Sequence, residues 1–461
     1  MIKGKRTMEL RNISTKNEKR SALEIIYENK FIAAIFLFST LFFLWQHSTG
    51  FSWDFSAYIL NAKYLAGSGF YYEWARQPLP SLLMLPFSFF GWLLAEYAYI
   101  IFVSLLHLFS SLKFAEKFGV DRTLFYVFSM NAYVLVFGQK LGSELLSLAM
   151  LQLFMAYIYE KRTGIFAALS FLARYSNLNF LVFIFLQRNA KKIIISFFLA
   201  LFVISPWLYF NYARTGNPLT SVRDSYLLNI VFRNLDNYVN SFSLFDLLLA
   251  LNLLLPIMLF GLLSERGEKY HVVLAFLALS VISYFFIPFK EERYLFPITL
   301  PAAFFAAKGA ENLDKRKIML VFIIFSLALL FFLLPLARNE PPYLYQSVKS
   351  DCMARSNAWV ALNYYGVPSE PYPEQKDFAA ALEEGYRIIL FKGTKFPVYV
   401  NNETFLGQFP VMEENDGVVV YGDSGRCKKP ARYEMLFFDR IRKKIEEGDV
   451  VCDFFSCRYL K

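Results

Sequence analysis

Histidine is scarce in this chain, with three copies, His47, His107 and His271, among 461 residues. Because histidine is the side chain most often used for proton transfer and metal binding near neutral pH, its scarcity argues against histidine-based catalysis and a histidine-rich metal centre. The sequence also has no Walker loop, no glycine-rich Rossmann turn and no HExxH motif. These absences exclude the standard signatures of nucleotide, dinucleotide and zinc-peptidase sites. No cofactor is indicated, although a requirement for a divalent metal stays an open question.

Charged residues are also few, at 19% of the chain, whereas hydrophobic residues make up 56% and aromatic residues 19%. The hydrophobic residues occur in long blocks, which is typical of membrane-spanning segments and not of a soluble protein of this size. The net charge of +10 does not indicate a nucleic-acid partner, because the basic residues lie in the short polar connections between blocks. The partner that this pattern predicts is membrane lipid.

The hydrophobic blocks predict an α-helical polytopic membrane protein with about eleven spans. A basic N-terminal segment, residues 1–30, precedes a transmembrane domain, residues 31–336, whose first outer loop is 47–96. Residues 337–461 change composition and predict a small C-terminal α/β domain. The predicted spans are 31–45, 97–114, 124–137, 145–159, two half-spans within 164–186, 193–210, 244–263, 272–287, 295–307 and 318–334.

The distribution of Lys and Arg between the blocks predicts how the chain is oriented in a cell membrane. The basic residues before residue 31 place the N-terminus in the cytoplasm, and an odd number of spans then makes the α/β domain extracytoplasmic. Asp54, Glu144 and Cys352 are expected to face out as well. The basic residues expected to face the cytoplasm are Lys117, Arg162, Lys192, Arg266 and Lys315.

The segment 164–186 has basic residues beyond both ends and the polar sequence Arg174-Tyr175-Ser176-Asn177 at its centre. Both ends should lie on the cytoplasmic side, which favours a hairpin of two half-spans over a single span. Irregular backbone at this depth is tolerated where protein or water covers it. A charge at the depth of Arg174 is costly unless it is paired, which favours a functional role.

All four cysteines, Cys352, Cys427, Cys452 and Cys457, lie in the predicted α/β domain. Outside the cell they are expected to be oxidised, and they allow two disulfides in three connectivities. The domain also carries an N-glycosylation sequon, Asn402-Glu403-Thr404.

The first outer loop contains aromatic residues, turn residues and two charged side chains that suggest a site. Helical spacing predicts an interfacial helix over 55–66, which lies along the membrane and ends at Gly67-Ser68-Gly69. Asp54 precedes this helix, and Arg76 is followed by Gln77-Pro78-Leu79-Pro80. Since a carboxylate can take a proton and a guanidinium can bind phosphate oxygens, the loop predicts a site that handles both.

The order of these motifs resembles that of the GT-C glycosyltransferases, in particular the branch of protein O-mannosyltransferases and the bacterial aminoarabinose transferase of lipid A. The similarity covers about residues 30–310. In the first outer loop it rests on Asp54, Tyr58, Ala62, Gly67, Arg76-Gln77-Pro78-Leu79 and Pro86-Phe87. Later blocks follow in the family's order, at Pro206-Trp207, Gly216-Asn217-Pro218 and Glu292-Arg293-Tyr294.

This resemblance implies an integral membrane hexosyltransferase. It would move a sugar, with inversion, from a polyprenyl-phosphate (dolichyl-phosphate) donor to a protein, glycan or lipid acceptor on the outer face. The family's catalytic acid corresponds to Asp54, and its second acid, at the outer start of the fourth span, corresponds to Glu144. The residues fit this chemistry because an inverting transfer needs a base for the acceptor hydroxyl.

The departing lipid phosphate needs positive charge, which arginine supplies through its planar fork of N–H groups. The resemblance assigns this role to Arg76, the basic residue before the proline-rich block, and to Arg293. Arg174 is the third candidate because of its depth in the membrane.

Simpler explanations exist for these residues. Asp54 could cap a helix, and Glu144 could merely complement a helix dipole. Arg76 could anchor the chain at the interface, and Arg293 could form a surface ion pair. For the whole chain, the alternatives are a polytopic transporter or flippase of a lipid-linked or small polar substrate, and a non-catalytic scaffold. No inverted repeat is evident in the sequence, which argues against a transporter.

Overall fold

A helical bundle and a smaller α/β domain make up the chain. The structure, a computed structural model, describes residues 22–231, 243–263, 267–287, 290–311, 313–394, 397–415, 417–423, 425–452 and 457–459. The helices of the bundle are α1 (Ala22–Ser48), α2 (Trp53–Leu65), α3 (Pro78–Met84), α4 (Trp92–Phe118), α5 (Arg122–Ser129), α6 (Ala132–Phe137), α7 (Glu144–Ala156), α8 (Thr163–Ala173), α9 (Ala190–Thr215), α10 (Thr220–Tyr226), α11 (Leu244–Leu251), α12 (Leu254–Leu262), α13 (Glu268–Phe286), α14 (Thr299–Ala310) and α15 (Lys315–Ala337). Stretches of 3₁₀-helix cover Leu85–Phe90, Tyr175–Leu186 and Glu292–Ile298, and a π-helix covers Leu227–Val231.

The predicted polytopic membrane protein is confirmed, and each predicted span falls on a helix or a broken helix. Within the described residues, five helices are long and apolar enough to cross a membrane: Lys30–Ser48, Trp92–Phe118, Ala190–Thr215, Glu268–Phe285 and Lys315–Ala337. The pair α11 and α12, bent by 79°, makes a sixth span if it is counted as one. The remaining predicted spans are shorter or interrupted helices.

Polar residues and burial explain these short helices. The predicted span 124–137 is split into α5 and α6 because the Asn131 side chain caps α6, accepting from the Val134 N–H at 3.2 Å. The predicted span 145–159 is represented by α7, in which every residue from Glu144 to Ala156 is buried. A helix that is covered on all sides by protein does not need the length that lipid contact requires.

The segment 164–186 forms the predicted hairpin. Helix α8 ends at Ala173, Arg174 adopts an extended conformation (φ −158°, ψ 117°), and the 3₁₀ segment Tyr175–Leu186 follows. The two ends of the segment meet, because Gln187 Nε2 donates to the carbonyl oxygen of Glu160 at 3.3 Å. The chain therefore enters and leaves at one end of the bundle, with Arg174 at the turn.

The basic connections gather at that same end. Those described there are bound by acidic side chains or a carbonyl: Lys117 and Arg162 by Glu160, Lys315 by Asp121, and Lys192 by the carbonyl oxygen of Tyr159. Arg266 lies outside the described residues. Helix α7 runs from Glu144 at its start toward this end, so Glu144 lies at the opposite end of the bundle. Which end faces the cytoplasm stays a prediction.

The C-terminal part is the predicted small α/β domain. The strands described in the chain are β1 (Tyr71–Glu73, in the first outer loop), β2 (Ala354–Ser356), β3 (Ser369–Pro371), β4 (Arg387–Phe391), β5 (Val411–Asn415), β6 (Val418–Tyr421), β7 (Tyr433–Met435), β8 (Val450–Cys452) and β9 (Cys457–Tyr459). The domain contains a five-stranded sheet of the order β3-β2-β4-β6-β5, in which β2 is parallel to β3 and β4, whereas β6 is antiparallel to β4 and β5. The helices are α16 (Tyr343–Gln346), α17 (Trp359–Tyr364), α18 (Phe378–Glu383), α19 (Glu403–Leu406) and α20 (Phe437–Glu446), with 3₁₀ turns at Gln375–Asp377 and Val398–Asn401.

Two disulfides fasten this domain. Cys352 pairs with Cys427, and Cys452 pairs with Cys457. This pairing is one of the three connectivities that the sequence allowed. The Cys352–Cys427 bond spans 75 residues of the chain, whereas the Cys452–Cys457 bond closes the β8–β9 hairpin.

The first outer loop is held directly by the C-terminal domain. Strand β1 pairs in parallel with β7, with Tyr71 opposite Tyr433 and Glu73 opposite Met435. A second, isolated bridge joins Phe51 to Glu340. The loop therefore lies between the bundle and the domain.

The predicted helix of the loop is confirmed as α2, but its surroundings differ from the expectation. It was expected to lie along the membrane surface. Instead, residues 55–62 are all buried. The reason is that the C-terminal domain covers the helix, with Trp53 packed edge-to-face against Trp359 of α17 at 4.8 Å between ring centroids.

Candidate active site

Asp54 lies between two arginines. Arg76 Nη1 donates to Asp54 Oδ1 at 2.5 Å, and Arg293 Nη1 donates to Asp54 Oδ2. The Asp54 side chain is 14% exposed, so the pair of contacts is largely shielded from water. Ser52, not Asp54, is the N-cap residue of α2, which excludes the capping explanation for this carboxylate. The structure therefore brings together three of the residues that the sequence singled out.

Each of these arginines also faces a second carboxylate that the sequence reasoning did not include. Arg76 Nε lies 2.8 Å from Glu73 Oε1, and Arg293 Nε pairs with Glu291. Glu73 is three residues before Arg76 on the chain, and Glu291 belongs to the same charged turn as Arg293. This short spacing of acid and base along the chain is the sequence signal from which both pairs could have been predicted. The two guanidiniums are thereby fixed at the Nε side and directed toward Asp54 at the Nη side.

The electrostatics of the cluster keep Asp54 ionised. Burial alone would raise the pKa of the Asp54 carboxyl, but the guanidiniums of Arg76 and Arg293 hold it well below its usual range. The pKa of Glu73, by contrast, is raised, because its burial outweighs the attraction of Arg76. A carboxylate with two guanidinium partners is a weak base, so Asp54 gains basicity only when one partner leaves.

Glu144 and Arg174 form a second charged pair. Arg174 Nη1 donates to Glu144 Oε1 at 2.9 Å, and both residues are buried. Glu144 is the first residue of α7, and its Oε2 accepts from the backbone N–H and the hydroxyl of Ser143, both at 3.3 Å. Arg174 reaches this position from the turn of the hairpin. The buried charge of Arg174, which would be costly alone, is thus paired.

Tyr294 joins the two charged centres. The Arg174 guanidinium lies over its ring at 5.3 Å from the centroid, and the Arg293 guanidinium lies at 5.4 Å. On the other side of the site, the Arg76 guanidinium lies 5.9 Å from the ring centroid of Tyr58. All five predicted site residues therefore belong to one continuous region, with aromatic rings between the arginines.

The turn before Glu144 packs against α2. Gly142 has a φ of +87°, and a Cβ atom there would lie 3.1 Å from the Phe55 ring and 3.2 Å from the Tyr58 ring. Glycine is the residue that satisfies both the backbone angle and the space. Tyr99 O–H donates to the Gly142 carbonyl oxygen at 2.5 Å. Because this turn leads directly into Glu144, it sets the position of the second charged pair relative to Asp54.

A small pocket adjoins the second pair, between the 3₁₀ segment Tyr175–Leu186 and α13. Its polar lining residues are Arg174, Ser176, Ser280, Ser283, Tyr284 and Tyr294. One guanidinium surrounded by hydroxyl groups is suited to a phosphate or a sugar hydroxyl.

The charged cluster does not fit a divalent cation. Asp54, Glu73 and Glu291 each face a guanidinium, which would repel a metal ion from the same oxygens. Throughout the described part of the chain, no group of three or more His, Cys, Asp or Glu side chains could hold a metal ion.

The bundle, with the α/β domain that covers it and the carboxylate site between them, defines the class: a multi-pass membrane protein. No known protein family matches the chain, and no curated protein matches it either. Two solved structures share its fold. One is the crystal structure of ArnT from Cupriavidus metallidurans bound to undecaprenyl phosphate, with a TM-score of 0.60, 10% sequence identity, and coverage of 87% of this chain and 98% of that chain. The other is the crystal structure of ArnT from the same organism in the apo state, with a TM-score of 0.57, 10% identity, and coverage of 81% and 93%.

The particular fold is thus that of ArnT, and it extends over nearly the whole length of both chains. The predicted GT-C architecture of the aminoarabinose transferase type is confirmed at the level of fold. At 10% identity the likeness establishes the architecture alone, and the chemistry has to be argued from the residues of this chain.

Proposed function

We propose that this chain is an inverting membrane glycosyltransferase that moves a sugar from a polyprenyl-phosphate donor to an acceptor hydroxyl on the extracytoplasmic face. The observation that carries the proposal is the Asp54 carboxylate held between Arg76 and Arg293, at the junction of the bundle and the outer domain. The shared fold adds support, since the matching ArnT structure contains undecaprenyl phosphate.

In the proposed reaction, Asp54 is the base. It takes the proton of the acceptor hydroxyl while the acceptor oxygen bonds to the anomeric carbon of the donor sugar. The bond from that carbon to the phosphate oxygen breaks, and the polyprenyl phosphate leaves with the bonding electrons. Attack opposite the leaving group inverts the anomeric configuration.

Arg76 and Arg293 stabilise the phosphate that leaves. Each guanidinium uses one N–H group on Asp54 and the Nε side on a glutamate, which leaves further N–H groups for phosphate oxygens. The donor phosphate competes with Asp54 for these arginines. Its binding therefore loosens the ion pairs of Asp54 and makes the carboxylate a better base at the moment when the donor is in place.

Arg174 and Glu144 serve the neighbouring part of the substrate. Arg174 lines the small hydroxyl-rich pocket and extends the phosphate-binding surface, with Tyr294 between it and Arg293. Glu144 holds Arg174 and accepts a hydrogen bond from a sugar or acceptor hydroxyl. We infer a hexosyl donor because the sequence motifs resemble those of the O-mannosyltransferase branch. The acceptor belongs to the class of protein, glycan or lipid hydroxyls.

The test uses the full-length protein, purified and reconstituted in liposomes. Radiolabelled hexosyl and aminoarabinosyl polyprenyl phosphates are supplied one at a time, and sugar release and transfer are measured. Transfer from one of these donors, lost in Asp54→Asn, is the expected result. Wild-type activity in Asp54→Asn, with normal expression, would remove Asp54 as the base. Release from no lipid-phosphate sugar would contradict the proposed function.

Sidedness is tested separately. A cysteine placed at position 54 is expected to react with a membrane-impermeant reagent on intact cells. Reaction only after permeabilisation would place the site on the cytoplasmic face and contradict the proposed orientation.

A further inference from the structure

Two hydrogen bonds and an ion pair connect the C-terminal domain to the arginine beside Asp54. Trp359, the first residue of α17, donates its Nε1–H to the Tyr71 hydroxyl at 2.9 Å. The Tyr71 hydroxyl donates to Glu73 Oε2 at 3.2 Å. The other oxygen of Glu73, Oε1, faces Arg76 Nε at 2.8 Å. Three successive contacts thus connect the outer domain to a side chain of the candidate active site.

The backbone of Glu73 is fixed as firmly as its side chain. Asn61 of α2 donates Nδ2–H to the Glu73 carbonyl oxygen at 2.9 Å and accepts from the Glu73 N–H at 2.8 Å. The pairing of β1 with β7 sets Glu73 opposite Met435 of the outer domain. Because Asn61 holds the backbone of Glu73 on one side and β7 pairs with it on the other, the position of this backbone is fixed.

Burial gives these hydrogen bonds their importance. Tyr71 is 0% exposed and Glu73 is 1% exposed, so water cannot replace a lost partner. Burial also raises the pKa of the Tyr71 hydroxyl well above its ordinary value, which keeps it protonated and able to donate at any working pH. Loss of one link therefore leaves a buried polar group without its partner and frees Glu73 to rotate.

We propose that the C-terminal domain positions the donor-binding arginine, with Trp359, Tyr71 and Glu73 as positioning residues that hold Arg76 in place. The inference rests on the proposed function and deepens it. Arg293 pairs instead with Glu291 of its own turn, at the end of the bundle. The C-terminal domain thus sets the position of the Arg76 guanidinium, and the bundle sets that of the Arg293 guanidinium. Both guanidiniums contact Asp54.

The experiment compares Trp359→Phe and Tyr71→Phe with a matched control, Tyr399→Phe. Each of the first two variants keeps an aromatic ring and removes one link of the chain. Tyr399 O–H donates to the Pro373 carbonyl oxygen at 2.6 Å within the outer domain, so the control removes a buried hydrogen bond of the same domain at a distance from the site. Binding of undecaprenyl phosphate, kcat and the KM values for donor and acceptor are measured on full-length protein, together with the temperature of unfolding.

Both test variants are expected to weaken undecaprenyl phosphate binding and to raise the donor KM by about three- to tenfold, with an unchanged acceptor KM. The double variant, Trp359→Phe with Tyr71→Phe, is expected to raise the donor KM no more than the more impaired of the two single variants does, because the two residues act in series. The Tyr399→Phe control is expected to lower the unfolding temperature without changing the donor KM.

Three results would overturn the proposal: donor binding in both test variants equal to that of the control, effects that add in the double variant, or equal rises in donor and acceptor KM. If Tyr71→Phe does not fold, donor binding and the donor KM of Trp359→Phe alone decide whether the proposal holds. Wild-type protein that binds undecaprenyl phosphate but transfers no sugar removes the transferase function, and the positioning of Arg76 is then decided by binding. Wild-type protein that does not bind this lipid overturns both proposals.

Discussion

Asp54 and Arg293 are 239 residues apart in the chain, and the Arg293 guanidinium donates to Asp54 Oδ2. Arg76 donates to the other oxygen of the same carboxylate. One carboxylate is therefore paired with two arginines that reach it from different elements of the fold. An anion that binds the remaining N–H groups of these arginines weakens their attraction for Asp54, so occupation by a phosphate and the basicity of Asp54 are expected to be linked.

Replacement of the carboxylate separates these two effects. Asp54→Asn removes the base and is expected to lower turnover by about 10²–10⁴-fold. The same change removes the competitor for Arg76 and Arg293, so undecaprenyl phosphate is expected to bind more tightly than to wild-type protein. The measurements are transfer from radiolabelled donor and lipid binding. The control is Asp439→Asn, which changes an exposed carboxylate of α20. Weaker lipid binding in Asp54→Asn would contradict the competition.

The shape of the Arg76 side chain should matter as well as its charge. Arg76→Lys keeps a positive charge but loses the planar fork that reaches Asp54 and Glu73 together. The donor KM is expected to rise by about tenfold or more, with a smaller fall in kcat. A matched change, Arg442→Lys on the exposed surface of α20, should leave both constants unchanged. A donor KM equal to that of wild type would show that Arg76 acts as a simple charge.

The second charged pair should behave as a unit. Glu144→Gln leaves Arg174 without its carboxylate, and Arg174→Gln leaves Glu144 buried without a counter-charge. Each single variant is expected to lose activity by an intermediate factor, less than Asp54→Asn, and the double variant should lose less than the product of the two. Steady-state kinetics on all three variants measures this. Losses that multiply would indicate that the two residues act independently.

Protonation of Asp54 at low pH should lower the free energy of unfolding. Burial alone would raise the pKa of Asp54, but Arg76 and Arg293 lower it from an ordinary value of 3.8. A lowered pKa in the folded state means that the ion pairs stabilise the fold above the ordinary pKa and lose this contribution as the pH falls toward the lowered value. The unfolding temperatures of wild type and Asp54→Asn should differ by a constant amount above about pH 5, and this difference should begin to shrink as the pH falls below the ordinary pKa of 3.8. A gap that stays constant down to pH 3 would contradict the assignment.

The two disulfides should contribute unequally to the stability of the C-terminal domain. The loop between Cys352 and Cys427 spans 75 residues, and that between Cys452 and Cys457 spans 5. Chain entropy gives the long bridge about 4 kcal/mol and the short one about 2 kcal/mol. Thermal unfolding of the paired Cys→Ser variants measures this order, and mass spectrometry without reductant should find no free thiols. A larger loss for the short bridge would contradict the entropic account.

The sequence predicted the parts of the site that follow from local chemistry. The helix of the first outer loop and the interruption at Arg174 are visible in the spacing of hydrophobic residues and in the charge pattern. The family resemblance then assigned Asp54, Glu144, Arg76 and Arg293 to one site, and the structure brings them together.

What the sequence could not supply were contacts across the fold. Glu73 and Glu291 look like ordinary surface acids in the sequence, because their role depends on where Arg76 and Arg293 point. The burial of α2 was missed for a similar reason, since hydropathy describes a helix and says nothing of a domain that follows nearly 300 residues later. The short helices, such as α7, were read as full spans because hydropathy does not distinguish lipid contact from burial in protein.

The pairing of β1 with β7 has a consequence for how the protein is made. Tyr71–Glu73 leaves the ribosome early, whereas its partner Tyr433–Met435 follows about 360 residues later. At a synthesis rate of about 5–20 residues per second, the first outer loop waits for tens of seconds without the strand that completes it. The bundle can insert during this time, but the strand pairing that holds the first outer loop forms only after the C-terminal domain has been made. Pairing of β1 with β7 is thereby a late step of assembly, and a chain that stops short of β7 would lack it.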